Sequence, residues 1–369
     1  MGTSSTKLTG HAPELPPLLP LAQYTYIHTT YPPMSRTIEA IQAVISQDPG
    51  KRGIAPLIAL AGASLSRAAH ALAQTQAVAI CTGFPCNIGL SPPTENDGLS
   101  GAIAVAAAAL RLGCPKVRLV TDQVNAAPLL ACLQDTGYAP EFGGLELQAA
   151  EAGVSIARYC AATSHRSQLE LWSVPGEEAC SEADIAQLHE LRRSSDFVFA
   201  IERAGRAADG TSRTMRALEM PDIAPLHLLF QQDEHASAAP AFRAAVGDGG
   251  NELGLGSLQA AVAEHVSLGD VIADTTPSDA VIMAGVSNWG GWALCAAAQV
   301  VHSLASPDGT PALDLLPTRE QELATLHTQA GAGALDGILK LAGTTVDGLD
   351  FEVHAAVLEQ LRELAQQRA

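Results

Sequence analysis

The sequence is poor in positive charge. Four of its 369 residues are lysine, and lysine and arginine together number 21 against 39 aspartates and glutamates, which gives a formal net charge of −18. Nucleic-acid binding needs a basic surface to neutralise phosphates, so this balance argues against nucleic acid as a partner. Charged residues of both signs make up 16% of the chain and hydrophobic residues 47%, which excludes a disordered protein or a coiled coil. The composition is that of a folded globular protein.

The sequence also lacks paired cysteines and long apolar segments. None of the seven cysteines stands in a C-x-x-C pair, so neither a zinc ribbon nor a thioredoxin-type site is available. We therefore expect reduced thiols and a cytoplasmic protein. No apolar run reaches about 18 residues without glycine, proline or a polar interruption, so we predict neither a membrane span nor a membrane partner. The N-terminus has no basic region followed by an apolar one, and we expect no secretion signal.

The chain divides into a short N-terminal segment and one long domain. Residues 1–35 are rich in proline, threonine and tyrosine without any period, and we predict an extended arm. Residues 36–369 alternate short apolar runs with helical stretches, which indicates a single α/β domain with a mostly parallel sheet covered by helices on both faces. The predicted strands are Ala77–Cys81, Val117–Thr121, Val154–Tyr159, Phe197–Glu202 and Ala280–Val286. The predicted helices are residues 37–46, Pro56–Gln76, Ser100–Leu112, Asn125–Asp135, Glu182–Ser195 and Asn251–Val266, with three more near Trp289–Leu304, Thr318–Thr328 and Glu352–Gln366.

The loops that follow the predicted strands are rich in glycine and carboxylates. Ligands of an open parallel sheet bind outside the carboxyl ends of its strands, so these loops should converge on one rim. They are CTGFPCNIGLSPPTENDGLSGA (81–102), TDQ (121–123), ERAGRAADGTSR (202–213), GDGGNELGLG (247–256) and GVSNWGG (285–291).

Two nucleotide or hydrolase motifs are only partly present. A dinucleotide fingerprint that starts at Gly247-x-Gly249 needs glycine at position 252, which is Glu252. No G-K-[ST] sequence occurs, so no nucleotide cofactor is expected. Gly285-x-Ser287 resembles the start of a nucleophile elbow, but Trp289 stands where the elbow requires glycine. A serine hydrolase is therefore not supported.

Carboxylates are the remaining chemistry at the rim. They are Glu95, Asp97, Asp122, Glu202, Asp209, Asp248 and Glu252. Mg²⁺ and Mn²⁺ prefer oxygen ligands from a few carboxylates, so the rim predicts a divalent metal site. The glycines between Asp248 and Glu252 would let backbone N–H groups and both side chains face one ligand. Any single acid of this set could instead cap a helix or stabilise a turn.

Arginines are concentrated in one of these loops, at positions 203, 206, 213 and 216. A guanidinium can bind a substrate carboxylate through two parallel hydrogen bonds, and Arg203 and Arg206 are the candidates for this role. Arg203 follows Glu202 directly, so it could simply balance that charge.

Seven segments of the chain resemble the D-glutamate cyclase family, specifically the domain that forms the C-terminal part of its longer members. They are CTGFP (81–85), PPTENDG (92–98), TDQ (121–123), ERAGRAADG (202–210), GDGGNELGLG (247–256), GVSNWGG (285–291) and TVDGLDFEVH (345–354). They lie within residues 35–365, which is nearly the whole chain. The longer members carry an additional N-terminal domain related to hydro-lyases, for which the sequence shows no counterpart beyond the short arm.

The resemblance implies reversible loss of water from D-glutamate to give 5-oxo-D-proline. An acid or a metal must polarise the side-chain carboxylate, and a base must keep the attacking amine neutral. On this reading Asp97, Asp122, Asp248 and Glu252 would bind Mg²⁺ or Mn²⁺, and Glu202 or Asp209 would act as the base. Arg203 or Arg206 would hold the α-carboxylate, and Gly249, Gly250, Asn251 and Asn288 would line the substrate.

Two other functions fit the same residues. A metal-dependent hydrolase, such as a phosphatase of a small acidic metabolite, could use the acidic rim to orient water. A non-catalytic module could bind an acidic amino acid or its cyclic form. The arm and the alanine-rich helices also favour a homo-oligomer.

Overall fold

Eight strands form one sheet in the order β3-β4-β5-β2-β1-β6-β7-β8. The computed structural model describes residues 32–135, 142, 144–149, 151–162, 167–220, 223–232, 241–306 and 312–367. Its strands are β1 Ala77–Gly83, β2 Lys116–Asp122, β3 Glu146–Leu147, β4 Ala157–Ala162, β5 Gln168–Val174, β6 Phe197–Arg203, β7 Phe242–Gly247 and β8 Ala280–Met283. Strands β5, β2, β1, β6, β7 and β8 run parallel, and β4 and β3 add an antiparallel edge.

Helices cover both faces of the sheet. Within the described ranges they are α1 Pro32–Ile45, α2 Ala55–Ala61, α3 Ser64–Gln74, α4 Leu99–Arg111, α5 Ala126–Asp135, α6 Glu182–Arg193, α7 Gln259–His265, α8 Gly269–Ile272, α9 Ser287–Ala305, α10 Arg319–Gly331 and α11 Phe351–Gln366. Alternate residues of β1 enter two separate cores. Val78 and Ile80 pack with α1, α3, α4, α5, α9, α10 and α11, whereas Ala79 and Cys81 pack with α2, α6, α7 and α8. Burial on both faces explains why the strands read as continuous apolar runs.

The structure confirms the predicted α/β class and the mostly parallel sheet. All seven cysteines lie in the described part of the chain as thiols. No helix of the described residues has both the length and the apolar character needed to cross a bilayer. The predicted arm, residues 1–35, lies outside the described residues except for its last four, which begin α1. The single-domain boundary at residue 36 stays a prediction.

Two helix predictions are wrong. The stretch Pro56–Gln76 forms two helices, because the chain turns at Gly62, whose φ of 55° lies in the left-handed region. The second error is the helix predicted to start at Asn251. Helix α7 starts eight residues later, at Gln259, because residues 248–255 form an irregular loop and a 3₁₀ turn, Gly256–Leu258, separates it from the helix. Strands β5 and β7 were absent from the strand predictions, and β8 ends at Met283 rather than at position 286.

Helices α4 and α9 approach each other closely beside the carboxyl end of the sheet. A Cβ atom on Gly291 would lie 2.9 Å from the Cα atom of Gly101 and 3.0 Å from its carbonyl oxygen. Both contacts are to backbone, which cannot move aside as the end of a side chain can. The absence of a side chain at these two positions therefore sets the distance between the two helices.

We expect Gly291→Ala to lower the free energy of unfolding by about 1–3 kcal/mol, the usual cost of overpacking a buried contact. Gly331→Ala is the matched control, because no atom lies within 4 Å of the added Cβ at the end of α10. Thermal unfolding followed by circular dichroism should show a lower midpoint for the first variant only. Equal midpoints for both variants would contradict the close helix contact.

Candidate active site

Six carboxylates and one guanidinium converge at the carboxyl ends of the central strands. We call the six the acidic cluster: Glu95, Asp97, Glu202, Asp248, Glu252 and Asp347. One oxygen from each of Asp97, Asp248 and Asp347 lies within 4.8 Å of the other two, and the same holds for Glu202, Asp248 and Glu252. Asp248 belongs to both groups and is therefore the centre of the cluster. Glu95 is buried nearby, and its charge contributes to raising the pKa of Glu202.

The loop after β1 reaches the cluster through Asp97. Its Oδ1 accepts hydrogen bonds from the backbone N–H groups of Gly98 (2.8 Å) and Asn288 (2.9 Å), and its Oδ2 accepts one from Ser287 (2.9 Å). Ser287 and Asn288 are the first residues of α9, so the carboxylate binds N–H groups that have no partner within the helix and stabilises the positive end of that helix. This bond network connects the loop after β1 with the loop after β8.

Glu202 lies at the end of β6 in a strained conformation. Its φ of 42° falls in the left-handed region, which residues other than glycine rarely adopt. A Cβ atom on Gly98 would lie 3.2 Å from the Cα atom of Glu202, so only glycine fits at that position. The side chain is buried, and its Oε2 has no hydrogen-bond partner among the described residues.

Glu252 shapes the glycine-rich loop after β7. Its Oε1 accepts hydrogen bonds from the N–H groups of Asp248 (2.9 Å) and Gly249 (2.7 Å), and its Oε2 accepts one from Gly250 (2.6 Å). Gly250 has a φ of 105°, a backbone conformation that residues with a side chain rarely adopt. The loop therefore folds around this carboxylate, with Asp248 at its start, directly after β7.

Arg52 offsets part of the negative charge. Its guanidinium forms an ion pair with Asp248 and another with Asp347 at 3.1 Å. The arginine lies between α1 and α2, where Asp48 accepts hydrogen bonds from the N–H groups of Arg52 and Gly53, both at 2.9 Å. Although burial opposes its charge, the carboxylates of Asp248 and Asp347 raise the pKa of Arg52, so it is a permanent cation.

The backbone next to Asp347 is held by His354. The indole N–H of Trp289 donates to Nδ1 of His354 (3.0 Å), and Nε2 of His354 lies 3.2 Å from the carbonyl oxygen of Val346. Since Nδ1 accepts, Nε2 must carry the proton and donate it to Val346. Burial lowers the pKa of His354, which keeps the ring neutral in this arrangement.

Like-charge crowding makes the cluster hard to ionise fully. Burial raises the pKa of Asp347 to about 7 despite Arg52, and the nearby Asp248 adds to the effect. Burial likewise raises the pKa of Asp248 to about 6. The pKa of Glu202 also rises well above its usual range, first because it is buried and then because Asp248, Glu95 and Asp97 surround it. A cluster of this kind attracts protons or cations.

The chain was compared with protein families and with characterised proteins. The family model described as "D-glutamate cyclase-like, C-terminal" matches residues 41–362. The chain belongs to the D-glutamate cyclase-like family. It is also 32% identical over 344 residues to human "D-glutamate cyclase, mitochondrial"; the aligned region covers 89% of this chain and 52% of that protein. The chain thus spans about half the length of this relative. All six carboxylates of the acidic cluster and Arg52 lie inside the family match.

This D-glutamate cyclase-like chain uses several of the predicted site residues elsewhere. Asp122 and Arg203 are the first example, because they contact each other. Asp122 accepts hydrogen bonds from Arg203, from Asn125 Nδ2 at 2.8 Å and from the N–H of Ala224 at 2.5 Å. Arg203 also donates to the carbonyl oxygens of Gly83 and Ala224. Asp122 and Arg203 thus form a buried structural pair, which the structure does not bring into the acidic cluster.

Arg206 and Asp209 point to other partners. Arg206 pairs with Glu177 near the surface. Asp209 is exposed, and hydrogen bonds from Thr211 and then from Arg213 hold its pKa below the usual range, so it is a weak base. The structure does not bring either residue into the acidic cluster.

The four residues predicted to line the substrate use polar groups within the protein. Gly249 and Gly250 donate to Glu252, Asn251 donates through Nδ2 to the carbonyl oxygen of Arg213 (2.8 Å), and Asn288 Oδ1 accepts from the N–H of Gly101 (2.8 Å). Their predicted contact with substrate stays a prediction.

Arg52 and Asp347 were absent from the sequence-based assignment of site residues. Neither follows a strand of the sheet, so the strand-end rule could not select them. Asp347 stands in the family-like segment TVDGLDFEVH, and Arg52 is one of only 21 cations in the chain. The family resemblance of the Asp347 segment and the scarcity of cations were thus the two sequence features that could have pointed to these residues.

We expect Asp347→Asn to stabilise the metal-free protein relative to wild type as the pH rises. Because the folded pKa of Asp347, about 7, exceeds its unfolded value of about 3.9, its contribution to stability is lost as the pH rises through 7. Unfolding midpoints measured in a chelator should therefore differ between variant and wild type by a few degrees more at pH 8 than at pH 5.

Asp209→Asn is the control for this measurement. The folded pKa of Asp209 lies below its unfolded value, so its contribution is complete above pH 5 and should not change between pH 5 and pH 8. If the difference in unfolding midpoint between Asp347→Asn and wild type is also the same at pH 5 and pH 8, then burial and neighbouring carboxylates do not raise the pKa of Asp347.

Proposed function

We propose that this chain interconverts D-glutamate and 5-oxo-D-proline plus water, assisted by a divalent cation, Mg²⁺ or Mn²⁺, at the acidic cluster. Membership of the D-glutamate cyclase-like family supports the reaction, and so does the name of the human relative, of which the chain spans half. The observation that carries the proposal is the crowding of buried carboxylates around Asp248, with an unpartnered oxygen on Glu202.

The donor set fits a hard divalent cation. Carboxylate oxygens are the preferred ligands of Mg²⁺ and Mn²⁺, and three of them already lie within 4.8 Å of one another. We assign the ion to Asp97, Asp248 and Asp347. Asp122 is left out of this set because it pairs with Arg203 and is in neither group of closely spaced carboxylates among the described residues. The ion would polarise the side-chain carboxylate of the substrate and neutralise part of the cluster.

The reaction moves two protons from nitrogen to oxygen. The substrate enters as an ammonium and a carboxylate; the C–N bond forms, one C–O bond breaks, and the oxygen leaves as water. The amine must lose one proton before it attacks and a second after the C–N bond has formed. No net proton is taken up or released, so the protein needs groups that accept a proton at one atom and return it at another.

Glu202 and Glu95 can carry these protons. Both side chains are buried, and burial raises the pKa of each well above its usual range, so one of the two can hold a proton near neutral pH. Burial and neighbouring carboxylates raise the pKa of Glu202, so its carboxylate is a stronger base than an exposed glutamate. We assign to Glu202 the removal of protons from the amine and to the pair their delivery to the leaving oxygen. Asp209, the second base considered from the sequence, is exposed and has a lowered pKa.

Metal binding should depend on Asp248. We expect wild-type protein to bind Mn²⁺ in a calorimetric titration and Asp248→Asn to bind it at least about tenfold more weakly, since the variant loses a charged ligand common to both carboxylate groups. Asp209→Asn removes an exposed acid of the same type and should bind as wild type does. Equal affinity for wild type and Asp248→Asn would exclude Asp248 as a ligand.

Glu202→Gln should lower kcat by about 10²-fold or more, the usual contribution of a positioned acid or base, without lowering the unfolding midpoint. Removing a buried, crowded carboxylate relieves repulsion, so the fold should be unharmed. Asp122→Asn provides the contrast: it leaves Arg203 buried without its partner, which costs about 3–5 kcal/mol, and should lower the midpoint.

Turnover is measured by chiral chromatography of 5-oxoproline formed from D-glutamate with Mn²⁺ or Mg²⁺. If wild-type protein forms none, the proposed reaction is wrong for this chain.

A further inference from the structure

The three arginines considered so far already have carboxylate partners. Arg52 contacts Asp248 and Asp347, Arg203 contacts Asp122, and Arg206 contacts Glu177. An acidic substrate with two carboxylates must nevertheless approach a cluster of like charge. A further cation that has no carboxylate partner and lies at the edge of the cluster would favour this approach.

Lys340 meets these conditions. It is exposed, and no carboxylate of the described residues forms an ion pair with its ammonium group. Its Nζ donates to the carbonyl oxygen of Gly337 and lies 3.7 Å from the Sγ atom of Cys86. The same sulfur donates to Oε2 of Glu95, at 3.3 Å. One thiol therefore separates the ammonium group from a carboxylate of the acidic cluster.

The backbone holds Lys340 in an unusual conformation. Its φ of 60° lies in the left-handed region, which costs a residue with a side chain of order 1 kcal/mol and is typical of functional loops. Asp336 stabilises the turn: its carbonyl oxygen accepts from the N–H of Lys340 (2.9 Å), and its Oδ1 accepts from the N–H groups of Ile338 and Leu339 (both 2.8 Å).

The turn that carries Lys340 is connected to the loop that carries Asp347. The second carboxylate oxygen of Asp336 accepts a hydrogen bond from the N–H of Gly348, at 2.9 Å. Gly348 follows Asp347 directly. Asp336 thus connects the backbone of the turn that carries Lys340 with the backbone next to Asp347, so the fold sets the separation of these two backbone positions.

We propose that Lys340 binds the α-carboxylate of the acidic substrate at the entrance to the cluster. The inference rests on the proposed function for the identity of that carboxylate. The α-carboxylate does not react and is present in both D-glutamate and 5-oxo-D-proline, so a cation at the entrance can hold it throughout. The side-chain carboxylate then enters the cluster, where the proton-carrying pair lies. Arg203 and Arg206, the residues first considered for this role, are engaged with Asp122 and Glu177.

The scarcity of lysine allows a direct test on the full-length protein. Lysines are acetylated with limiting acetic anhydride in buffer with Mn²⁺, and the modified positions are quantified by mass spectrometry. Glutarate serves as the probe because it has two carboxylates but no amine and cannot cyclise. Saturating glutarate or D-glutamate should slow acetylation of Lys340 several-fold. Lys116 is the internal control, since it is exposed at the start of β2, at the opposite end of the sheet.

Variants extend the test. Lys340→Gln should weaken glutarate binding about tenfold, the loss expected for a charge-assisted hydrogen bond, and should raise the KM for D-glutamate with little change in kcat. Lys340→Arg should restore most of the affinity because the charge is kept, and Lys116→Gln should bind as wild type does.

Failure of the lysine proposal can be told apart from failure of the proposed reaction. Protection of Lys340 without formation of 5-oxoproline supports the carboxylate site and overturns the reaction. Turnover with equal acetylation of Lys340 in the presence and absence of ligand overturns the site alone. If neither protection nor turnover is seen, both proposals are wrong.

Discussion

The burial of like charges is the constraint on which the rest of the structure depends. One oxygen from each of Asp97, Asp248 and Asp347 lies within 4.8 Å of the other two, and one guanidinium, that of Arg52, pairs with Asp248 and Asp347. Asp97 and Asp248 are buried, and Asp347 is partly buried. Within the described ranges, no other arginine or lysine forms an ion pair with a carboxylate of the cluster. Backbone N–H groups hold the carboxylates instead: Asp97 and Glu252 each accept three. Backbone donors are fixed by the fold, so they stabilise carboxylates without cancelling the charge that a cation ligand would need.

Parallel strand order explains how distant segments supply these groups. Strands β1, β6, β7 and β8 are neighbours in the sheet, and the loop that follows each of them starts at the same edge. Helix α9 begins at that edge, so its first N–H groups face the loop after β1. The His354 ring adds a contribution from outside the sheet, because it holds the carbonyl group next to Asp347. Residues at the carboxyl ends of the strands and residues of the C-terminal helix α11 therefore both position the site.

Sequence reasoning succeeded where a local pattern and the fold rule agree. Apolar runs gave the central strands, and the strand-end rule selected Asp97, Glu202, Asp248 and Glu252, which the structure brings together. The same rule could not distinguish Asp122, which also ends a strand, because its pairing with Arg203 depends on how two strands lie side by side. Arg52 and Asp347 are remote in sequence from every strand end. Their place at the cluster is set by helix packing, which composition and periodicity do not encode. The sequence also did not predict the break between α2 and α3 at Gly62, because the alanine-rich segments on both sides of this glycine favour a helix.

The contact between Gly101 and Gly291 has a consequence for substitutions far from the carboxylates. Helix α4 follows Asp97 in the chain, and α9 provides two of the N–H groups that donate to the Asp97 carboxylate. The acceptor and these two donors therefore belong to two helices that contact each other through the backbone of two glycines. A methyl group added between them would shift one helix along or away from the other and lengthen the bonds to Asp97. A variant at this contact can thus behave as a defect in the binding of cation or substrate, although the altered atom touches neither.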